Sequence, residues 1–194
     1  MKRITALLTL AVLLAACSAR TVLVADVDVL SFVDSSEVEG DLAVPGSIDV
    51  YVPDADDNLI TPDGGQLVTQ APLLDRMSGF AARIAVEVRN DGATDLSVSG
   101  AFHLAAASDS ANIYDGTDDL KLAEVELTLP AGATQTLELN VELDEDDPAL
   151  DLLSADGFRV GMAIHASGNG QAHYRIAAFS LVLKARAFDL LPGN

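Results

Sequence analysis

An apolar period of two runs through most of this chain and constrains it more than any other feature. Ile48, Val50 and Val52 alternate with Asp49 and Tyr51, and Ile84, Val86 and Val88 with Ala85, Glu87 and Arg89. Leu96, Val98, Gly100, Phe102 and Leu104 form another set, as do Leu137, Leu139, Val141 and Leu143, and Val160, Met162, Ile164 and Ala166. Successive strand side chains point to opposite faces, so each set reads as a strand with one face buried. Turn residues separate the sets at Asn90-Asp91-Gly92, Pro130-Ala131-Gly132 and Gly168-Asn169-Gly170. Helical spacing is confined to one short segment, 148–154, where Asp147 can cap and Pro148 suits the first position. About eight or nine strands with short connections predict an all-β antiparallel sandwich.

Three details sharpen that expectation. Tyr174 and Ile176 share one parity while Phe179, Leu181 and Leu183 take the other, and Leu120 and Leu122 similarly give way to Val125, Leu127 and Leu129. A change of phase needs an extra residue, so bulges are expected near Ala177-Ala178 and Ala123-Glu124. Glu124 and Glu126 precede the Pro130 turn, and Glu138 and Glu142 follow it. One hairpin would crowd like charges on one face, so this connection should cross between sheets. Around Gly168-Asn169-Gly170, a three-residue hairpin loop keeps Ile164 opposite Tyr174 and Met162 opposite Ile176, an apolar face on both strands.

The chain has 11 Lys and Arg against 30 Asp and Glu, a formal net charge of −19. Nucleic acid and anionic headgroups would be repelled, and the same charge favours a soluble monomer and attracts cations. With 49% hydrophobic residues the chain is long enough for a core. It has no Trp and only 5% aromatic residues, few rings for a sugar-stacking surface. Its single cysteine, Cys17, excludes an internal disulfide.

Lys2 and Arg3 precede an apolar run from Ile4 to Ala16, too short to span a bilayer, which takes about 20 residues. Leu14-Ala15-Ala16-Cys17 resembles the lipobox of bacterial lipoproteins. That resemblance implies a signal peptide over 1–16 that is removed, and lipidation of Cys17 with palmitate-type acyl chains. It also implies export, with anchoring to the cell membrane or outer membrane. Ser18 stands where Asp would favour inner-membrane retention in that family. Residues 17–20 then form a short linker, and 21–194 a single domain. Separately, the segments 86–92 and 129–137 resemble bacterial immunoglobulin-like and fibronectin-like modules. Those modules are spacers, adhesive elements or accessory domains, which implies an immunoglobulin-like sandwich here and an envelope protein as partner.

The hairpin register would set His165 opposite His173 on the outer face, with Cβ atoms about 4.5–5.5 Å apart, close enough to share a transition metal. Two solvent-facing histidines without a ligand are the plain alternative. His103 joins them only if its strand is a neighbour. Three acidic loops could hold calcium through clustered oxygens. They are Asp54, Asp56, Asp57 and Asn58; then Asp115, Asp118 and Asp119; and 144–147. The first fails the EF-hand pattern at Leu59 and Gly65, and solvated turns explain all three by default. No nucleophile elbow, zinc-protease motif or phosphate loop is present, so no catalytic residue and no resident cofactor is assigned. The favoured function is therefore a lipid-anchored, non-catalytic structural or interaction module of the envelope. A cation-binding module comes second, and an enzyme without a visible motif third.

Overall fold

The computed structural model describes residues 22–54, 58–69, 77–153 and 157–186. Eight strands appear among them: β1 (Val22–Asp28), β2 (Glu39–Val52), β3 (Gln66–Val68), β4 (Met77–Asn90), β5 (Leu96–Ala106), β6 (Asp119–Leu129), β7 (Thr134–Asp144) and β8 (Phe158–Arg186). Every pairing among them is antiparallel. The helical elements are short. Asp147 caps a 3₁₀ segment, Pro148–Leu152, by accepting from Ala149 N, as its sequence predicts. A 3₁₀ turn at Val29–Phe32 and a helical turn at Ser35–Val38 join β1 to β2, neither expected from the residue spacing.

The architecture follows from β8, which spans 29 residues. Along one edge, its residues 158–167 pair with β5 and its residues 172–185 pair with β4. Along the other edge it meets β3, then β2, then β1. β5 carries β6 on its far side, and β4 carries β7. The chain thus forms two sheets, β6-β5-β8 and β7-β4-β8, joined through the long β8–β2 ribbon. Aromatic rings mark where they face each other. Phe80 of β4 lies 6.3 Å from Phe102 of β5 and 6.1 Å from Phe158 in the first half of β8. Phe102 lies 6.0 Å from Phe179 in the second half. All four rings are buried, and each pair bridges the two sheets, which makes the fold an antiparallel β-sandwich.

The hairpin expected at Gly168-Asn169-Gly170 is not formed: β8 runs straight through it. The ladder to β2 continues without interruption from Glu39↔Arg175 to Val52↔Met162. What those glycines provide is a fold in the ribbon. Gly168 (φ +132°) faces Gly46 (φ +102°) directly across the ladder, beside Pro45. Two opposed positive-φ residues let both strands turn the corner together while their apolar faces stay inside. Nearby, the fully buried Asn90 ties the two sheet-crossing loops. Its Nδ2 donates to Thr94 O and Leu129 O, and its Oδ1 accepts from Gly92 N.

Other expectations match. Ala178 and Ile176 pair with consecutive residues of β4, leaving Ala177 as the bulge. Ala123 and Lys121 do the same against β5, leaving Leu122. β6 pairs with β5 and β7 with β4, so the Pro130 turn does cross between the sheets.

Candidate functional site

The outer face of the β6-β5-β8 sheet is partly roofed by the β5–β6 connection, residues 107–118. That loop lies down because the sheet makes room for it. Gly161 of β8 carries no side chain where Tyr114 and Ile113 cross, and a Cβ there would overlap the Tyr114 hydroxyl and Ile113 Cδ1. Ile113 is fully buried, and its N–H donates to Asp63 O at 2.9 Å. Arg159 then staples the loop to the 64–65 turn: Nε donates to Ala107 O, and Nη1 to Gly64 O and Gly65 O. A guanidinium with several fixed donors suits such a convergence of carbonyls.

Under the loop lies the pair His103–Asp119. His103 is 8% exposed, and its Nδ1 is 3.3 Å from Asp119 Oδ1. The other oxygen, Oδ2, accepts from Gly116 N at 2.7 Å. Asp119 thus orients the imidazole and shapes the loop at once, helped by Asp115 Oδ1 accepting from Thr117 N and by Asp118 at φ +63°. The Tyr114 ring sits between Tyr51 and His103, at centroid distances of 4.7 and 5.1 Å. Its hydroxyl is buried without a hydrogen-bond partner among the described residues. Burial first, then Asp63, Tyr51 and Asp54, push this phenol well above its ordinary range.

These groups border a cleft of about 470 Å³, whose floor is Ala101 and Ala163 and whose rim includes His165, Lys121 and Glu124. Lys121 and Glu124 pair at 2.6 Å. A carboxylate only accepts, so an imidazole bound through Nδ1–H keeps Nε2 for a ligand. The cleft therefore offers both donors and acceptors around a small apolar floor, an arrangement suited to holding a polar group.

The paired His165–His173 site is a correction. Because β8 does not turn back, the two histidines lie on the outer faces of different sheets. Each faces β2 instead: His165 Nδ1 is 2.8 Å from Asp49 Oδ1, and His173 Nδ1 is 2.9 Å from Asp41 Oδ1. His103 is on the same face as His165, but His165 stands opposite Ser99, four positions along β5 and so about 13 Å away. All three histidines thus share one arrangement, an aspartate on Nδ1, and no two of them share a ligand position. Among the described residues no three His, Cys, Asp or Glu side chains converge as a metal site.

Of the acidic loops, Asp115, Asp118 and Asp119 stand together beside the cleft, with two of them engaged as above. Nearby Asp109 is raised by burial and then by Asp119, Asp115 and Asp118. Asp54 N donates to Glu37 Oε2, and Asn58 Nδ2 to Thr61 Oγ1. Asp56, Asp57 and the lipidation residue Cys17 lie outside the described residues. Sequence reasoning missed Tyr114, Asp41, Asp49 and the latch formed by Asp119. The partners of the three histidines are 16, 116 and 132 residues away, so no local pattern announces them.

No family model matches the chain, and no curated protein matches it. Among solved structures, it is similar to the VP2 subviral particle of infectious bursal disease virus, with 8% identity and a TM-score of 0.44. That match covers 87% of this chain and 34% of the viral one, so the chain spans about a third of the capsid protein. The Eiger TNF structure from S. frugiperda is 11% identical with a TM-score of 0.40, covering 90% of this chain and 99% of that one. A CBM4 structure is 10% identical with a TM-score of 0.35, covering 74% and 80%. Likeness at this level carries nothing about what the chain binds.

Proposed function

We propose that this protein is a lipid-anchored lipoprotein of the cell envelope, acting as a non-catalytic interaction module through the cleft beside His103. The observation that carries this reading is a built polar cleft on a domain whose first strand begins five residues after the lipobox cysteine. The cleft's roof is fixed by buried contacts: Ile113, the Arg159 staple and the His103–Asp119 latch. Such a site is preorganised for binding, and preorganisation lowers the ordering cost of association. Its donors and acceptors are balanced, which suits a polar surface or segment of an envelope protein. A covalently acylated terminus would keep the domain at its membrane, because each buried methylene contributes about 0.8 kcal/mol.

Metabolic labelling with a fatty acid tests the anchor. The wild-type chain should incorporate label and fractionate with membranes, and Cys17→Ala should do neither. A wild-type chain without label contradicts the reading.

A second reading, a cation-binding module, is favoured by one observation. Asp109 sits among Asp119, Asp115 and Asp118; burial first and then their like charge raise its carboxyl, and a cation would relieve the repulsion. Calorimetry with calcium separates the readings: heat lost in Asp118→Asn supports this one, and no heat at millimolar calcium removes it.

A further inference from the structure

We infer that the beginning of β1 is a second contact with the bilayer, in which Val22, Leu23 and Val24 enter the headgroup region beside the anchor; this rests on the lipidation of Cys17 proposed above. These three consecutive residues are 46%, 40% and 58% exposed. Val22 and Val24 lie on the outer face, opposite Arg186 and Lys184, and Leu23 faces Ala185 at the rim of the sandwich. Exposed edge strands are ordinarily defended by charge, and three adjacent large apolar residues open to water on both faces are the reverse of that. Among the described residues, the other exposed large apolar residues, Phe32, Ile60, Leu67 and Leu120, stand singly in the sequence.

The tether supplies the occupant. Four residues lie between Cys17 and Val22, and the five steps reach at most about 18 Å. A strand held that close to the bilayer meets it at high effective concentration, so a weak insertion suffices. Local charge does not oppose contact with zwitterionic headgroups, because Lys184 pairs with Glu142 and Arg186 with Glu145. The Lys184 stem lies over Gly79 of β4, and both basic side chains reach away from β1 to the end of β7, which leaves the two valines uncovered. Further along β1 the outer positions are Asp26 and Asp28, which limit insertion to the first turn of the pleat. This contact fixes how the domain stands on its membrane.

The test uses the full acylated chain in phosphatidylcholine vesicles that contain a phosphatidylcholine with a photoactivatable acyl chain. After irradiation, lipid adducts should map to residues 22–24. The double variant Leu23→Asp, Val24→Asp should lose those adducts while retaining its acyl group and its strand circular dichroism. An acylated, vesicle-bound wild-type chain without adducts at 22–24 overturns this inference alone, as do adducts that persist in the variant. A wild-type chain without an acyl group at Cys17 overturns the anchor reading and this inference with it.

Discussion

The two outer faces of this sandwich are built from the same strand and differ in what lies on them. On the β7-β4-β8 face, Ala81, Arg83, Asn140, Glu142, Ser180 and Val182 border an open hollow. On the β6-β5-β8 face, the 107–118 loop crosses the sheet, buries Ile113 and the Tyr114 hydroxyl and walls a cleft. Sheet geometry alone therefore does not make a site. One glycine, Gly161, admits the loop, one arginine staples it, and one buried histidine–aspartate pair sets its shape. The sandwich supplies the platform, and the crossing loop supplies the specific chemistry.

The largest effect should come from closing the slot. Gly161→Val would drive a branched side chain into Tyr114 and Ile113. A destabilisation of about 3 kcal/mol is expected, the upper end for overpacking. Ser180→Val on the opposite face should change stability by no more than about 0.5 kcal/mol. Urea unfolding midpoints measure both. Equal effects on the two faces would mean that the loop is not held as described.

The histidines give a second, smaller contrast. His103→Ala leaves Asp119 buried with one oxygen unpartnered, which costs about 1–3 kcal/mol. His165→Ala and His173→Ala remove exposed pairs, worth about 0.2–1 kcal/mol. Hydrogen exchange should quicken in 107–118 only for the His103 variant.

The smallest effect is at alkaline pH. Burial, then the Glu37 charge, raises Tyr174 to about 12. Tyr51 and Tyr114 are also raised, chiefly by burial. A raised phenol pKa means that folding holds the proton. Its contribution is complete below the unfolded value near 10 and is lost as pH rises through about 12. These are all three tyrosines, and there is no Trp, so phenolate absorbance is readable without interference. Tyr114 and Tyr174 should show no phenolate step at pH 10 and should ionise together with unfolding, while the half-buried Tyr51 can titrate before them. A step at pH 10 of more than one phenol that leaves the fold intact would contradict the burial of the Tyr114 and Tyr174 hydroxyls.

The fold was legible where side-chain parity decides it. The alternation marked the long strands, the change of phase between Ile176 and Phe179 located the Ala177 bulge, and the glutamates around Pro130 separated β6 from β7. It was not legible at Gly168-Asn169-Gly170, because glycines that permit a tight turn also permit a bent strand. The choice is made by Gly46 and Pro45, more than 120 residues earlier, which lie opposite and continue the ladder. The site was less legible than the fold for the same reason. His165 and His173 were visible, but their partners Asp49 and Asp41 come from β2. Asp119 stood out as one acid in an acidic loop, and only the folded chain directs it at His103.

The most direct test of the claim that function resides on the loop-covered face is site-specific photocrosslinking in intact envelopes. A photoreactive residue is placed at Lys121, on the cleft rim, or at Glu138, on the outer face of β7, in otherwise wild-type acylated chains. Both positions are exposed. The expected result is a discrete protein crosslink from position 121 and none from position 138. Crosslinks from 138 alone, or the same products from both faces, would contradict it.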